Sequence, residues 1–387
     1  MIRTRGRLWT VLPAMLVIAL TAHPPAAAAE GGPNVEAAVS RGLDWLAKEQ
    51  SKAGHWTTTG SGYPTAITSL AGIALLGEGS TTSQGKYAEN LRRAVDYLVR
   101  NSRRDGLIAR VPDRPFLFAL PAPRKPAPPP AGAMPPDPAP AKPVEPPKPT
   151  EPEDSLFMFG HGYALLFLSQ ALPGEKDADR RDKLTDVLKR AAAYASRAQT
   201  QRGGWGYISA AEGSDFEEGA ATAVVLDGLL AARDTGIEIP KDAIARAFEY
   251  LRRTTQPDGG IAYSLQAAGT GGRRPITAAA AACLQQGGAP RREHLEKLLK
   301  YCEAKVPATI DGSAGHWHFT HFYFAQVRHR QGDDAWQKYR DAVYPALAAK
   351  AGKDGAWDGQ YLGPAYASAV NLTILQLQKP PAAKVPE

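Results

Sequence analysis

The stretch "RGLDWLAKEQSKAGHW", residues 41–56, combines an apolar helical pattern with an abrupt end. Trp45 and Leu46 belong to the helical pattern, and Gln50 closes it before a short polar loop that reaches Gly54 and Trp56. Glycine permits the sharp return of the chain that such a loop requires. We expect Trp56 to lie over the end of the helix and the Gln50 amide to satisfy backbone groups that a helix end leaves unpaired.

The same pattern of a basic residue, an aromatic residue and a Gly-containing loop recurs through the chain. Further copies occupy residues 93–108, 190–207, 246–263, 295–319 and 339–357. Once one insertion is removed, the spacing of roughly 45 to 60 residues is typical of helical repeat arrays. The loop residues that we expect to match Gln50 and Trp56 are Asn101, Gln199 with Trp205, Gln256 with Tyr263, Trp317 and Trp357.

Each copy is followed by a second segment of helical length that consists mostly of apolar or small residues. These segments are 64–77, 155–172, 218–232, 275–286, 321–331 and 363–378. A helix that is apolar all round is buried on every side, whereas the first-type helices carry Lys and Arg on one face. We therefore predict an all-α fold of six hairpins with inner and outer helix rings, an (α/α)6 toroid. Neither end of the array is an obvious polar cap, so we expect a closed ring.

The opening stretch resembles the QW repeat of squalene and oxidosqualene cyclases through Arg41, Gly42, Trp45, Leu46, Gln50, Gly54 and Trp56. The copy from Gln199 to Trp205 resembles it more loosely. Over residues 35–378 the chain is similar to the superfamily of squalene cyclases and protein prenyltransferase β-subunits, whose fold is a toroid of six helical hairpins. Its last two copies are similar to secreted squalene-cyclase-like repeat proteins of bacteria, which mostly have no assigned activity.

The catalytic motifs that this resemblance implies are absent from the sequence. Squalene cyclases use an Asp-x-Asp-Asp cluster, and the nearest match is Asp333-Asp334, where acidic residues favour the start of a helix. Prenyltransferases bind zinc through an Asp-x-Cys pair, and neither Cys283 nor Cys302 has that Asp. Cys283-x-x-Gln286 has the spacing of a complement thioester but lacks its flanking Gly and Glu. Whether the chain is an enzyme stays open, and we expect no cofactor and no metal.

Polar and aromatic residues cluster near the starts of the inner segments, which face one mouth of a toroid. The catalytic candidates are Glu217, Glu218, Asp215, His161 and His321. The aromatic candidates for binding at the mouth are Tyr63, Tyr163, Tyr323 and Tyr366. These residues fit a pocket for acid–base chemistry or ligand binding, but they equally fit helix caps and wall residues, because repeat ancestry alone duplicates a His-x-Tyr motif. Three histidines, His316, His318 and His321, do not predict a metal site without a distant partner cluster.

The N-terminus has the features of a secretory signal peptide. Three arginines precede the apolar run "LWTVLPAMLVIAL", and "AAAAE" provides small residues for cleavage after Ala29. We expect residues 1–29 to be removed and the mature chain to be secreted or periplasmic, with no later membrane span. Loss of the three arginines lowers the net charge from +7 to +4. The basic residues are scattered, so we expect no nucleic-acid partner.

Residues 112–153 interrupt the repeats with about half of the chain's 33 prolines. Such a segment samples extended, solvated conformations, so we expect a disordered insertion that is either simply tolerated or contacts a protein partner. Residues 379–387 are expected to be a disordered tail. The predicted helix pairing places Cys302 about 12 Å along the axis from the position opposite Cys283. A disulfide requires Cα atoms within about 7 Å, so we predict two buried thiols.

Three functions remain open from the sequence. The first is a secreted toroid that binds a ligand or serves as a scaffold. The second is a divergent terpenoid cyclase, which requires a cavity long enough for an isoprenoid. The third is a polysaccharide-processing enzyme, which requires exposed aromatic residues and two carboxylates about 5 to 10 Å apart. The expected occupant of the central cavity is accordingly an apolar lipid, an isoprenoid or a glycan.

Overall fold

The computed structural model describes residues 34–111, 153–288, 292–310 and 316–377. The predicted signal peptide, the Pro-rich insertion apart from Glu153, and the predicted C-terminal tail lie outside these ranges. Within them the first helix of each hairpin is α1 (Val35–Lys48), α3 (Ala88–Arg100), α5 (Ala178–Arg197), α7 (Lys241–Thr254), α9 (Arg292–Lys305) and α11 (Asp333–Lys350). The second helices are α2 (Pro64–Gly77), α4 (Phe157–Ala171), α6 (Gly219–Asp234), α8 (Arg274–Gly287), α10 (Trp317–Gln331) and α12 (Pro364–Leu375).

The second helices form the inner ring, as their composition predicts. In α2 every residue from Pro64 to Leu75 is buried, and α4 is buried over nearly its whole length. Small residues let the inner helices approach closely: a side chain at Gly162 would collide with Val224, and one at Gly228 would collide with Gly162 of the neighbouring helix. The first helices bury one face each, as Leu91 and Leu98 of α3 show, and therefore form the outer ring.

The ring is closed, which confirms the predicted toroid. Each inner helix packs against the next, and the last of them, α12, packs against both α2 and α1. At this junction the Gln376 amide donates a hydrogen bond to the Ala74 carbonyl at 2.9 Å. Gly42 of α1 lies against Trp357 and Leu372 from the last hairpin. No capping repeat is needed, because the first and last hairpins bury each other.

The loop glycine of the opening stretch has equivalents that join neighbouring outer helices. Each has a positive φ and packs against the backbone carbonyl of a basic residue in the next outer helix. The pairs are Gly54 with Arg93, Gly106 with Arg190, Gly203 with Arg246, Gly259 with Lys297 and Gly355 with Arg41. A side chain would fit neither the backbone conformation nor the contact. We call these five contacts the outer seam, and the pair Gly355–Arg41 closes it.

Tryptophans fasten the loops of the seam to the outer helices. The indole N–H of Trp56 donates to the Leu46 carbonyl at 2.8 Å, and Trp205 and Trp357 make the same bond to Ala195 and Leu347. These carbonyls belong to the last turns of α1, α5 and α11, where no partner exists within the helix. The indole therefore performs the capping that we expected of the Gln50 amide.

The glutamines instead connect one repeat to the next. Gln50 Nε2 donates to Gly54 O at 2.9 Å and to Asn90 O of α3 at 3.0 Å. Gln199 Nε2 repeats this with Gly203 O and Ala243 O. The expected matches Asn101 and Gln256 are each off by one residue, because Ser102 and Thr255 lie four positions before their loop glycines. Tyr263 is off by two, because Ile261 takes the position that corresponds to Trp56. Thr255 still bonds the next outer helix, through His294 at 2.8 Å.

Two further sequence expectations concern the cysteines and the membrane. Cys283 and Cys302 are free and buried, as predicted, and burial raises the pKa of the Cys302 thiol to about 12. Among the described residues, no helix combines the length and the apolar character that crossing a bilayer requires.

Candidate functional site

The inner ring encloses a central cavity of about 990 Å³ among the N-terminal ends of the inner helices. All six inner helices line it, through Leu70, Tyr163, Ala220, Ile276, Phe319 and Tyr366 in chain order. This volume lies at the upper end of the range for small-molecule sites, and a largely apolar, concave lining is typical of them. The helix starts therefore converge on one space, as the toroid prediction requires.

Aromatic side chains from two seam loops and from the start of α4 build one wall of the central cavity. The hydroxyl groups of Tyr207 and Tyr263 form a short hydrogen bond with each other. Phe159 stacks on Tyr207 with ring centroids 5.9 Å apart, and Phe216 packs 6.3 Å from each tyrosine. The tyrosine hydroxyls thus satisfy each other and leave an apolar surface toward the cavity.

Glu218 is the one carboxylate among the described residues that line the central cavity. Its two oxygens accept hydrogen bonds from the backbone N–H groups of Ala220 and Ala221, at 2.9 and 2.8 Å, so the side chain caps α6. Burial raises the pKa of Glu218 to about 7, although the two N–H donors oppose the shift. The group is consequently a weak acid that also has a structural role.

Two other acidic candidates do not line the central cavity. Arg202 bridges them, with Nη1 3.1 Å from Glu217 Oε2 and 3.3 Å from Asp215 Oδ2. Glu217 is fully buried at this bridge, whereas Asp215 is exposed. Sequence neighbours at the start of α6 therefore face different surroundings: Glu218 faces the cavity, and Glu217 faces the loop after α5.

His161 is part of the wall of the ring. Its Nδ1 accepts a hydrogen bond from the Ile108 N–H at 3.1 Å, so Nε2 carries the proton and donates to the Ala191 carbonyl at 3.1 Å. Thr68, Thr222, Thr277 and Ser368 accept the corresponding loop N–H in other repeats. Burial lowers the pKa of His161 to about 4. His161 therefore accepts the loop N–H that a hydroxyl group accepts in the other repeats, and both of its ring nitrogens are hydrogen-bonded.

His321 occupies the matching place in the fifth repeat with different contacts. Its ring stacks on Trp317 at 4.2 Å, and its Nδ1 lies 2.8 Å from the Tyr339 hydroxyl. Burial lowers the pKa of His321 to about 3, and His318 adds to the effect. Neither histidine of the duplicated motif is among the residues that line the central cavity. A ligand in that cavity would therefore contact neither imidazole.

Three of the four candidate tyrosines line the central cavity. Tyr63, in a left-handed conformation directly before α2, lies at its edge with Tyr163 and Tyr366. Tyr323 is completely buried behind the cavity wall. The two copies of His-x-Tyr therefore place their tyrosines at different depths.

Sequence reasoning missed several residues that the fold brings to the center of the ring. Asp227 lies in the middle of α6 and is buried, and burial raises its pKa to about 6, opposed by Arg330 and Tyr323. A lone acidic residue within "VVLDGLL" was the available signal. Tyr263 was expected to match Trp56, and its place in the cavity wall beside Tyr207 was not predicted. The signal was that each of these tyrosines lies four residues after its loop glycine, two residues beyond Trp205 and Ile261.

A metal site is not evident in the part of the chain that the structure describes. Within it, no three His, Cys, Asp or Glu side chains are arranged to hold an ion. His316 is exposed, His318 packs edge-on against Trp317, and His321 is enclosed by aromatic rings.

The chain matches no protein-family model, and no curated protein matches it. Solved structures of similar fold include a variant of the type II terpene cyclase MstE from Scytonema in complex with geranylgeranyl dihydroxybenzoate. That structure has a TM-score of 0.53 and 14% identity, over 89% of this chain and 97% of that one. The GH76A α-1,6-mannanase from Salegentibacter sp. HEL1_6 has a TM-score of 0.59 and 8% identity, over 89% and 98%.

A third similar structure is the unsaturated glucuronyl hydrolase from Bacillus sp. GL1, with a TM-score of 0.55 and 12% identity over 89% of this chain and 97% of that one. At these identities the likeness concerns the fold. The chain therefore has the α/α toroid architecture that a terpene cyclase and glycan-degrading enzymes also use, and its function has to be argued from its own site.

Proposed function

We propose that the protein binds an elongated apolar ligand in its central cavity without transforming it chemically. The cavity itself carries the proposal, because its volume of about 990 Å³ is lined mostly by aliphatic and aromatic side chains from all six inner helices. The charged residues of the lining are Glu218, Arg273, Arg274 and Lys305. Burial of an apolar chain against such a surface contributes about 25 cal/mol per Å² removed from water.

The acid chemistry of the cavity favours binding over cyclisation. Protonation of an alkene requires a strong acid, whereas burial raises the pKa of Glu218 to about 7 and makes it a weaker one. Glu218 also caps α6 through both oxygens. A terpenoid cyclase is nevertheless the second candidate, because the cavity is large enough for an isoprenoid and the similar structure of MstE holds a geranylgeranyl compound.

Polysaccharide processing is the third candidate, supported by the fold that the chain shares with the mannanase and the glucuronyl hydrolase. Glycoside hydrolysis ordinarily needs two carboxyl groups flanking the scissile bond. Glu218 has no carboxylate partner among the described residues that line the central cavity, which argues against this reaction there.

The proposal also covers where the protein acts and what else it contacts, through the predicted signal peptide and the Pro-rich segment. A signal peptide over residues 1–29 would direct the ligand-binding ring out of the cytoplasm. Residues 112–153 would then be available to a protein partner, since Pro-rich segments bind as preformed extended chains.

A fluorescence or calorimetric titration with the C20 alcohol geranylgeraniol tests the proposal. Ala220 lines the central cavity, so Ala220→Trp should fill part of it and weaken binding at least about tenfold, or about 1.4 kcal/mol. Ala178→Trp is the control, because Ala178 is exposed at the start of α5.

Absence of binding to the unmodified protein would contradict the proposal, as would equal binding by both variants. Conversion of the alcohol to a cyclic isomer, detected by mass spectrometry and abolished by Glu218→Gln, would instead establish the cyclase alternative.

A further inference from the structure

We propose that a side pocket beside the central cavity binds a neutral saccharide ring. The side pocket has a volume of about 280 Å³ and lies between the start of α10 and the loop before α12. It shares His316, Tyr361, Leu362 and Tyr366 with the central cavity, so the two spaces are neighbours. This inference adds to the proposed function. It rests on that function in the case where the saccharide is the head group of a lipid.

An unsatisfied amide points to a polar ligand in the side pocket. Asn371 lines the pocket and is 1% exposed, and its Oδ1 has no hydrogen-bond partner among the described residues. An unpaired buried acceptor costs roughly 1–3 kcal/mol, which a ligand hydroxyl group would recover. The unpaired acceptor and the shape of the pocket together indicate a bound molecule.

The remaining polar groups select a ligand that is neutral and rich in hydroxyl groups. Asp358 brings a carboxylate whose Oδ1 accepts from the Gln360 N–H at 2.9 Å. Lys350 is exposed at the rim, so the lining has one charge of each sign. Burial keeps His318 neutral by lowering its pKa to about 4. An anionic ligand would face the Asp358 carboxylate and the Asn371 acceptor, whereas hydroxyl groups can donate to both.

The apolar walls of the side pocket suit the C–H faces of a sugar ring. The indole N–H groups of Trp317 and Trp357 are already bonded to Thr309 O and Leu347 O, at 3.0 and 2.8 Å. Their rings therefore offer carbon surface to the pocket. Tyr361 is 70% exposed beside them, the one large hydrophobic residue so exposed in the described part of the chain. An exposed aromatic ring at the edge of a polar pocket is a ready stacking surface.

Backbone strain accompanies these side chains. His316 and Gln360 both line the side pocket in left-handed conformations, with φ of +64° and +51°. Such conformations cost non-glycine residues about 1–3 kcal/mol and concentrate at sites of function. A saccharide ring could come from the end of a glycan or from the head group of a lipid glycoside, whose chain would then occupy the central cavity.

Calorimetric titrations with matched probes distinguish these sources. The soluble probes are methyl glucoside, methyl mannoside and methyl galactoside. The amphiphilic probes are the corresponding dodecyl glycosides and dodecyl phosphate, all used below the concentrations at which they form micelles. We expect at least one dodecyl glycoside to bind about tenfold more tightly than dodecyl phosphate, which corresponds to about 1.4 kcal/mol.

Asn371→Leu tests the assigned residue. The substitution keeps a similar volume and removes the unpaired acceptor, so the melting temperature should hold or rise while the preference for the glycoside disappears. Ser169→Ala is the matched control, because Ser169 Oγ is also buried and without a partner in the described chain but does not line the side pocket. This variant should keep the preference.

The outcomes separate the inference from the proposed function. Equal affinity for all dodecyl head groups, or an Asn371→Leu variant that keeps the preference, would overturn the saccharide site and leave the cavity's apolar binding intact. Binding of a methyl glycoside without any dodecyl compound would support the saccharide site as a glycan site and contradict the proposed function.

Discussion

The outer seam and the mouth of the central cavity are built from the same loops, yet they differ in which residues adopt the left-handed backbone conformation. At the seam, Gly203 meets Arg246 O, and the Trp205 indole meets Ala195 O. At the mouth, the non-glycine residues Tyr63 and His316 adopt this conformation, whereas at the seam only glycines such as Gly203 do so. These loops close the ring through their N-terminal parts and line the central cavity through their C-terminal parts, as Gly203 and Tyr207 illustrate.

The largest effect should come from a side chain placed in the seam. Gly203 and Gly213 both have a φ of +94°, but a Cβ at Gly203 would lie 2.6 Å from Arg246 O, whereas Gly213 has open space around it. Gly213→Ala should cost about 1–3 kcal/mol of unfolding free energy for its backbone conformation alone. Gly203→Ala should cost roughly 1–3 kcal/mol more, for the collision. Urea denaturation of both variants measures the difference, and equal midpoints would show that the seam contact is not tight.

The next effect concerns the two tryptophans of residues 41–56. Trp56→Phe leaves the Leu46 carbonyl without its indole donor and opens space in the core, so it should cost about 2–4 kcal/mol. Trp45 is half-buried on α1, and Trp45→Phe should cost about 1 kcal/mol or less. If Trp45→Phe lowers the melting temperature more than Trp56→Phe does, the hydrogen bond from the Trp56 indole does not hold the loop on α1.

The smallest effect is a pH dependence of opposite sign in the two regions. His161 in the ring wall has its pKa lowered from 6.5 to about 4, so its contribution to stability is complete above pH 6.5 and is lost as the pH falls toward 4. Glu218 at the mouth has its pKa raised from 4.5 to about 7, so its contribution is complete below pH 4.5 and is lost as the pH rises through 7.

The variants His161→Gln and Glu218→Gln isolate these two contributions. The stability difference between the unmodified protein and the His161 variant should shrink on acidification from pH 7 to 4.5. The difference for the Glu218 variant should shrink on going from pH 5 to 8. Each slope is at most about 1.4 kcal/mol per pH unit. Parallel pH trends for the two variants, measured by urea denaturation, would mean that one of the buried groups is misassigned.

The fold was predictable because its determinants are local and repeated. Loop glycines follow five of the outer helices after five or six residues, and three of these loops carry a tryptophan two residues later. The small-residue segments are apolar on every face and are therefore buried. The alignment of residues within each loop was harder to predict from the sequence. Tyr263 corresponds to Tyr207 of the cavity wall. Ile261 corresponds to Trp205, and its backbone N–H donates to Thr277. Ile and Trp fill the same position because the backbone N–H, and not the side chain, makes that bond.

The site was predictable only in part, because identical motifs acquire different surroundings. His161 receives the Ile108 N–H, whereas His321 stacks on Trp317, which is already the first residue of α10. A shorter loop therefore moves the second motif relative to the cavity. The apolar run "VVLDGLL" indicates that Asp227 is buried, but the sequence does not reveal that Arg330 and Tyr323 lie close to it.

The chain leaves and re-enters the ring at a single point around the Pro-rich insertion. The Asp154 N–H donates to the Arg110 carbonyl at 2.8 Å, and the Asp154 carboxylate accepts the Arg110 N–H at 2.9 Å. Because these bonds hold Arg110 and Asp154 together, the ring does not require a particular length of the Pro-rich insertion between them. Doubling a flexible connection costs only about 0.6 kcal/mol. Whole domains, affinity tags or a bare four-residue turn should be interchangeable there, which makes this exit a natural place for grafting new modules onto the toroid.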